Sequence, residues 1–213
     1  MDELNEIIEN IRHAFTVKNE ARDQALQRSR GLIRLCAKAI RATHRQEWAE
    51  AAAKIAEARD QADTLTADLV PFPELYHSGY AQDALKEYVE ANLTYALVRG
   101  EPLPTPETLN VQPSTYLGGL TEAATELRRR ILDIIRHHHS DEAERLLEAM
   151  DAIYTELTTV DFPDAITRGL RRRTDVLRGV LERTRGDLTN SLRQQQLQGA
   201  LRDLESRLNL AGE

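Results

Sequence analysis

Apolar residues along this 213-residue chain recur at helical spacing, and no segment alternates in the manner of a strand. Ile7, Ile8, Ile11, Ala14 and Phe15 begin the pattern. Leu26, Ser29, Ile33, Cys36 or Ala37, and Ile40 continue it. Residues 2–43 contain no proline and a single glycine, Gly31, so the spacing predicts one helix unless Gly31 breaks it. At 1.5 Å per residue that helix is about 60 Å long. A single domain of this chain length is only about 45 Å across. A helix longer than its domain must project from it or pack against another chain.

Further helices follow. One covers about 45–69 and ends at Pro71 and Pro73. The next starts at Glu74 or Ser78 and runs to Val98, with Leu85, Val89, Asn92 and Ala96 along one side. Gly100, Pro102, Pro104 and Pro106 mark a connection. A fourth helix runs from about Pro113 to Arg136 with the stripe Leu117, Leu120, Ala124, Leu127, Ile131 and Ile134. His137, His138 and His139 lie at its end, where cations suit a helix C-terminus. Asp141 with Glu144 reads as a capping box opening a fifth helix, to about Leu157. Asp161-Phe-Pro opens a sixth, with Pro163 in its first turn, running to about Leu192, and a last helix extends to Leu208. The expectation is one all-α domain over residues 1–213, of six or seven helices.

Composition narrows the class. Seven prolines, ten glycines and 5% aromatic residues are too few turn and ring residues for a β-sandwich or barrel. Cys36, the single cysteine, excludes an internal disulfide framework and a CxxC zinc site, and fits a reducing compartment. No run approaches the roughly 20 apolar residues of a membrane span. The acidic start, Met-Asp-Glu-Leu-Asn-Glu, is unlike a secretory signal. The expected location is cytoplasmic. Acids outnumber bases 35 to 28, a net charge of −7, which argues against wholesale coating of nucleic acid and leaves room for local basic patches.

Two such patches stand out. Arg30, Arg34, Lys38, Arg41 and Arg45 are spaced by 4, 4, 3 and 4 on one helix face, and no acid occurs from Gln24 to Gln46. Residues 168–185 hold seven arginines against Asp175 and Glu182. Arg171, Asp175, Arg178, Glu182 and Arg185 alternate in sign along one face, as an ion-pair ladder would. Arg172 and Arg173 lie outside it. Both patches read either as solvated helix edges or as phosphate contacts.

The carboxylates offer metal chemistry. Glu87 and Glu90 are i, i+3 on the third helix, and Glu122 and Glu126 are i, i+4 on the fourth. Gly118 and Gly119 lie one turn before Glu122, where missing side chains let another backbone approach. Four glutamates from two helices can hold Mg²⁺ or Mn²⁺, which prefer oxygen ligands. Exposed glutamates on helices are also ordinary. Glu74 and His77 have the ExxH form of di-iron bundles, but the motif occurs once, among prolines. Cys36 falls on the apolar side of its helix. No phosphate loop, dinucleotide fingerprint, nucleophile elbow or HExxH is present.

Four segments, in order, resemble the translin family. Residues 25–45, ALQRSRGLIRLCAKAIRATHR, resemble its N-terminal SR…I…S…I…HR signature. Residues 87–91, EYVEA, resemble the catalytic branch, translin-associated factor X. Residues 116–127, YLGGLTEAATEL, resemble that branch's YL-G…D…E-L segment. Residues 161–175, DFPDAITRGLRRRTD, are similar to the opening of a late helix in archaeal and bacterial members. The resemblance implies a seven-helix fold with a long first helix, assembled as octamers around a hollow interior. It implies binding of RNA or single-stranded DNA and a Mg²⁺-dependent endoribonuclease whose acids face that interior. Carried over, those acids are Glu87, Glu90, Glu122 and Glu126, with the arginines as phosphate contacts. Glu122 stands where the eukaryotic catalytic branch has aspartate. The other reading is a non-catalytic RNA- or single-stranded-DNA-binding oligomer, closer in role to translin. A third is a structural helical bundle with its arginines in ion pairs.

Overall fold

In the computed structural model, residues 1–137 and 141–210 are described, and they form helices without strands. The order is α1 (Asp2–His44), α2 (Trp48–Leu69), α3 (Pro73–Tyr76), α4 (Gly79–Arg99), α5 (Pro106–Leu109), α6 (Pro113–Ile135), α7 (Asp141–Thr158), α8 (Asp164–Thr167) and α9 (Leu170–Leu210). Six are long, and α3, α5 and α8 are single turns opened by or just after a proline. None of the described helices is long and apolar enough to cross a membrane. His138 and His139 lie outside the described residues.

The chain divides into two compact units, residues 1–95 with 103–119, and residues 96–102 with 120–213. In the first, α1 stays helical through Gly31 for 43 residues and packs against α2. Ser29, Cys36 and Ile40 of the expected stripe are buried, while Ala25 and Leu32 are buried in place of the half-buried Leu26 and Ile33, and Ala39 and Thr43 join them. Periodicity fits either set, and the small residues of α2 (Ala51, Ala58, Ala62) select the one that packs closely. The α1–α2 turn is a Schellman closure: Glu47 N–H donates to Ala42 O (2.9 Å) and Gln46 N–H to Thr43 O (3.0 Å). Gln46 takes φ 60° there, so no glycine announced the turn. Gln82 pins the start of α4, donating to Tyr76 O at 2.8 Å and accepting from the Thr115 hydroxyl. Buried residues of α4 fall on every side of it, among them Ala81, Leu85, Tyr88, Val89, Asn92 and Leu93. Its expected stripe of Leu85, Val89, Asn92 and Ala96 is buried in full.

In the second unit, α7 and α9 pack together. Leu146, Met150 and Ile153 of α7 and Leu170, Leu177, Leu181 and Leu188 of α9 are buried. Charged groups tie the elements. Arg130 chelates Glu142 through two hydrogen bonds (2.8 and 2.9 Å). Arg128 donates to Asp187 at 2.8 Å and to the Thr184 hydroxyl at 3.0 Å. Arg145 donates to the Leu97 and Val98 carbonyls (2.8 and 2.9 Å), satisfying acceptors left open at the C-terminus of α4. The expected sixth helix is corrected. Pro163 caps the single turn α8, the chain turns left-handed at Arg168 (φ 52°) and Gly169 (φ 81°), and α9 then runs unbroken past Leu192 to Leu210. Gly169 permits the break at little steric cost.

Candidate metal centre and basic faces

Glu87 and Glu90 sit on α4, a helix buried around most of its circumference, rather than on a solvated surface. One helical turn apart, they project to the same side. Gly119 explains the approach of α6. A Cβ there would lie 2.6 Å from Val89 Cβ and 2.9 Å from the Lys86 carbonyl oxygen, so α6 crosses α4 with backbone against side chain. The expected role of a small residue at this point is met by Gly119. From that crossing α6 continues as a single helix to Ile135, and Glu122 follows within one turn. One carboxylate oxygen from each of Glu87, Glu90 and Glu122 lies within 4.8 Å of the others. Glu126, a further turn along α6, lies outside that trio. None of the four acids is exposed.

Three carboxylates so close repel one another unless cations intervene. Lys86 supplies one: its Nζ lies 3.4 Å from Glu87 Oε1, and only 13% of its side chain is exposed. Sequence reasoning passed over Lys86. The signal was a lysine flanking the acid pair on a helix without a polar face. The trio's field also reaches Cys36. Burial first, then the charges of Glu87 and Glu90, push its thiol well above the ordinary range, so it remains protonated at neutral pH. It is a core residue and no ligand. The donor set of the trio is all carboxylate, which fits hard, oxygen-preferring Mg²⁺ or Mn²⁺. The Glu74–His77 pair has another use: Glu74 bonds Lys18 at 2.5 Å, which holds its carboxyl below the usual range. His77 ends α3 with its ring edge-on to Tyr76.

Arg30, Arg34, Lys38, Arg41 and Arg45 are all exposed. Arg45 bonds Glu47 at 2.7 Å, whereas Arg30, Arg34, Lys38 and Arg41 form no ion pair among the described residues. They form an open row of cations on one face. On α9 the ladder is half built: Arg178 lies 3.7 Å from Asp175, and Arg185 bonds Glu182 (3.0 Å) and also Asp151 of α7 (2.7 Å). Arg171 and Arg172 are exposed and line a cleft of about 980 Å³ with Tyr154, Phe162 and Asp164. Arg173 is half-buried.

No family model matches the chain. The uncharacterized protein MJ0175 of Methanocaldococcus jannaschii is 30% identical over 207 residues, spanning 96% of this chain and 90% of that protein. Among solved structures, AfC3PO in complex with duplex RNA superposes with a TM-score of 0.80 at 32% identity, covering 86% of this chain and 95% of that one. AfC3PO by itself gives 0.78 at 33% identity, over 86% and 96%. NeC3PO without ligand gives 0.78 at 21% identity and speaks to the fold alone. Fold, the order of the four sequence segments and identity over nearly the whole chain agree: the chain belongs to the translin/C3PO family.

Proposed function

We propose that this chain is the catalytic subunit of a metal-dependent endoribonuclease that acts on RNA inside a homo-oligomer. The observation that carries the reading is the carboxylate trio of Glu87, Glu90 and Glu122 on partly buried helix faces. Those three residues would hold Mg²⁺ or Mn²⁺, and Glu126 completes the acidic set one turn away. A divalent ion bound there supplies a nucleophilic water at neutral pH and positive charge for the leaving oxygen of the phosphodiester. Arg30, Arg34, Lys38 and Arg41 on α1 with Arg45 at its C-terminal cap, and Arg171, Arg172 and Arg173 on α9, bind the phosphate backbone. That local positive charge lets an acidic protein hold RNA, and the duplex RNA held by AfC3PO supports RNA as the ligand. Single-stranded DNA presents the same backbone charge.

Oligomerisation draws support from apolar side chains left in water. Leu4, Ile7, Ile8, Ile11 and Phe15 of α1 are exposed, as are Leu197, Leu201, Leu204 and Leu208 of α9. An octamer with an internal cavity is the assembly we propose, working in the cytoplasm.

The test is cleavage of a labelled single-stranded RNA by wild type with Mg²⁺ or Mn²⁺, by wild type with EDTA, and by Glu122→Gln purified identically. Metal-dependent cleavage is expected in the first alone, with RNA still retained by the variant. Retention at low salt without any product would instead identify a non-catalytic RNA-binding oligomer. Equal cleavage by Glu122→Gln would remove the acids from the mechanism.

A further inference from the structure

Lys86 is placed where a cation has consequences. It precedes Glu87 on α4, its side chain is largely withdrawn from solvent, and its ammonium contacts a Glu87 carboxylate oxygen. Its backbone carbonyl lies at the contact with Gly119, so its main chain is fixed by the same crossing that brings in Glu122. A lysine side chain has four rotatable carbons, so its ammonium can leave while its main chain stays.

We infer that Lys86 is a positioning residue that acts as an internal counter-ion: it holds the metal-free carboxylates together by occupying Glu87, and it leaves Glu87 when a divalent cation binds. This inference rests on the metal-centre reading above. The physical reason is competition. Without metal, three neighbouring carboxylates favour a positive charge nearby, and Lys86 brings one to Glu87. With metal, two cations against one carboxylate, screened from bulk water, repel strongly. Lys86 therefore weakens metal affinity in exchange for an ordered metal-free site. Once released, its ammonium is available to a phosphate oxygen.

The test uses the full chain and Mn²⁺ alone, with binding followed by calorimetry and by electron paramagnetic resonance, and melting followed in EDTA. Lys86→Met is expected to melt lower than wild type in EDTA and to bind Mn²⁺ about tenfold more tightly. Lys86→Arg is expected to restore melting in EDTA, because the charge returns. A purely structural lysine would lower melting and leave Mn²⁺ affinity unchanged or weaker, and that result overturns the inference. Should Lys86→Met fail to fold, wild type still decides. Acetylation of Lys86, read by mass spectrometry, is expected to rise when Mn²⁺ is added, and an unchanged or lower yield overturns the proposal. Absence of Mn²⁺ binding to wild type overturns the metal centre itself along with this inference. Binding to wild type without the Lys86 effects overturns the inference alone.

Discussion

Cys36 and the glutamates illustrate how position, rather than residue type, sets chemistry. The same two carboxylates that make a ligand set with Glu122 help keep the thiol of Cys36 protonated, with burial the larger cause. The thiol's folded pKa is raised above the ordinary value of 9.0. Below pH 9 the thiol is neutral in both folded and unfolded chains, and its contribution to stability is fully present. Above pH 9 the unfolded chain ionises while the folded one does not, so stability falls as pH rises. Cys36→Ala is expected to flatten that alkaline loss, measured as melting temperature from pH 8 to 10.5. An equal alkaline slope in both proteins would show that other groups govern it. The sequence already put Cys36 on the apolar side of its helix. It did not reveal that Glu87 and Glu90 lie close enough to act on it, because that proximity joins α1 to α4 across some fifty residues of chain.

At the scale of the element, local signals were mostly legible and breaks were less so. The long helices were readable because apolar spacing and prolines act within a few residues. The single-turn helices were not, since four residues carry no periodicity. The α8–α9 break at Gly169 was signalled by a glycine, yet Pro163 alone could equally have opened one long helix. The α1–α2 turn gave no signal, because Gln46 adopts φ 60° without being glycine. Gly119 is the position where element geometry meets the site. Gly119→Ala places a methyl group 2.6 Å from Val89 Cβ, against a helix that cannot yield easily. A cost of about 1–3 kcal/mol is expected for such overpacking. At about 2–4 °C per kcal/mol, that lowers the melting temperature by several degrees. The variant should also bind Mn²⁺ more weakly than wild type, since α6 carries Glu122 away from α4. Unchanged melting and unchanged affinity would mean that the crossing tolerates a methyl group.

For the whole molecule, exposed apolar side chains recur in the first part of α1 and again in the last part of α9. Residues 4, 8, 11 and 15 share with residues 197, 201, 204 and 208 the same 4-3-4 spacing, which is that of a coiled-coil seam. Every one of these eight positions carries an apolar side chain at least 40% exposed. Water contact on that scale is unfavourable at roughly 25 cal/mol per Å² of apolar surface. Replacing Ile8 and Ile11, or Leu201 and Leu204, by serine is expected to reduce the oligomer mass seen by light scattering, with each variant's helical content retained. Wild type eluting as a monomer at micromolar concentration would refute the assembly.

By itself the sequence determined the helical class, the positions of the long helices, the two acid pairs and the two basic rows, because helix period and side-chain spacing are short-range properties of the backbone. Only the tertiary structure decided that Glu122 joins Glu87 and Glu90 while Glu126 stays outside the trio, that Lys86 contacts Glu87, and that half of the arginine ladder is engaged. Those outcomes depend on which helix faces meet and how closely. A single Cβ at Gly119 is enough to alter that distance, and nothing in the local pattern of either helix records it.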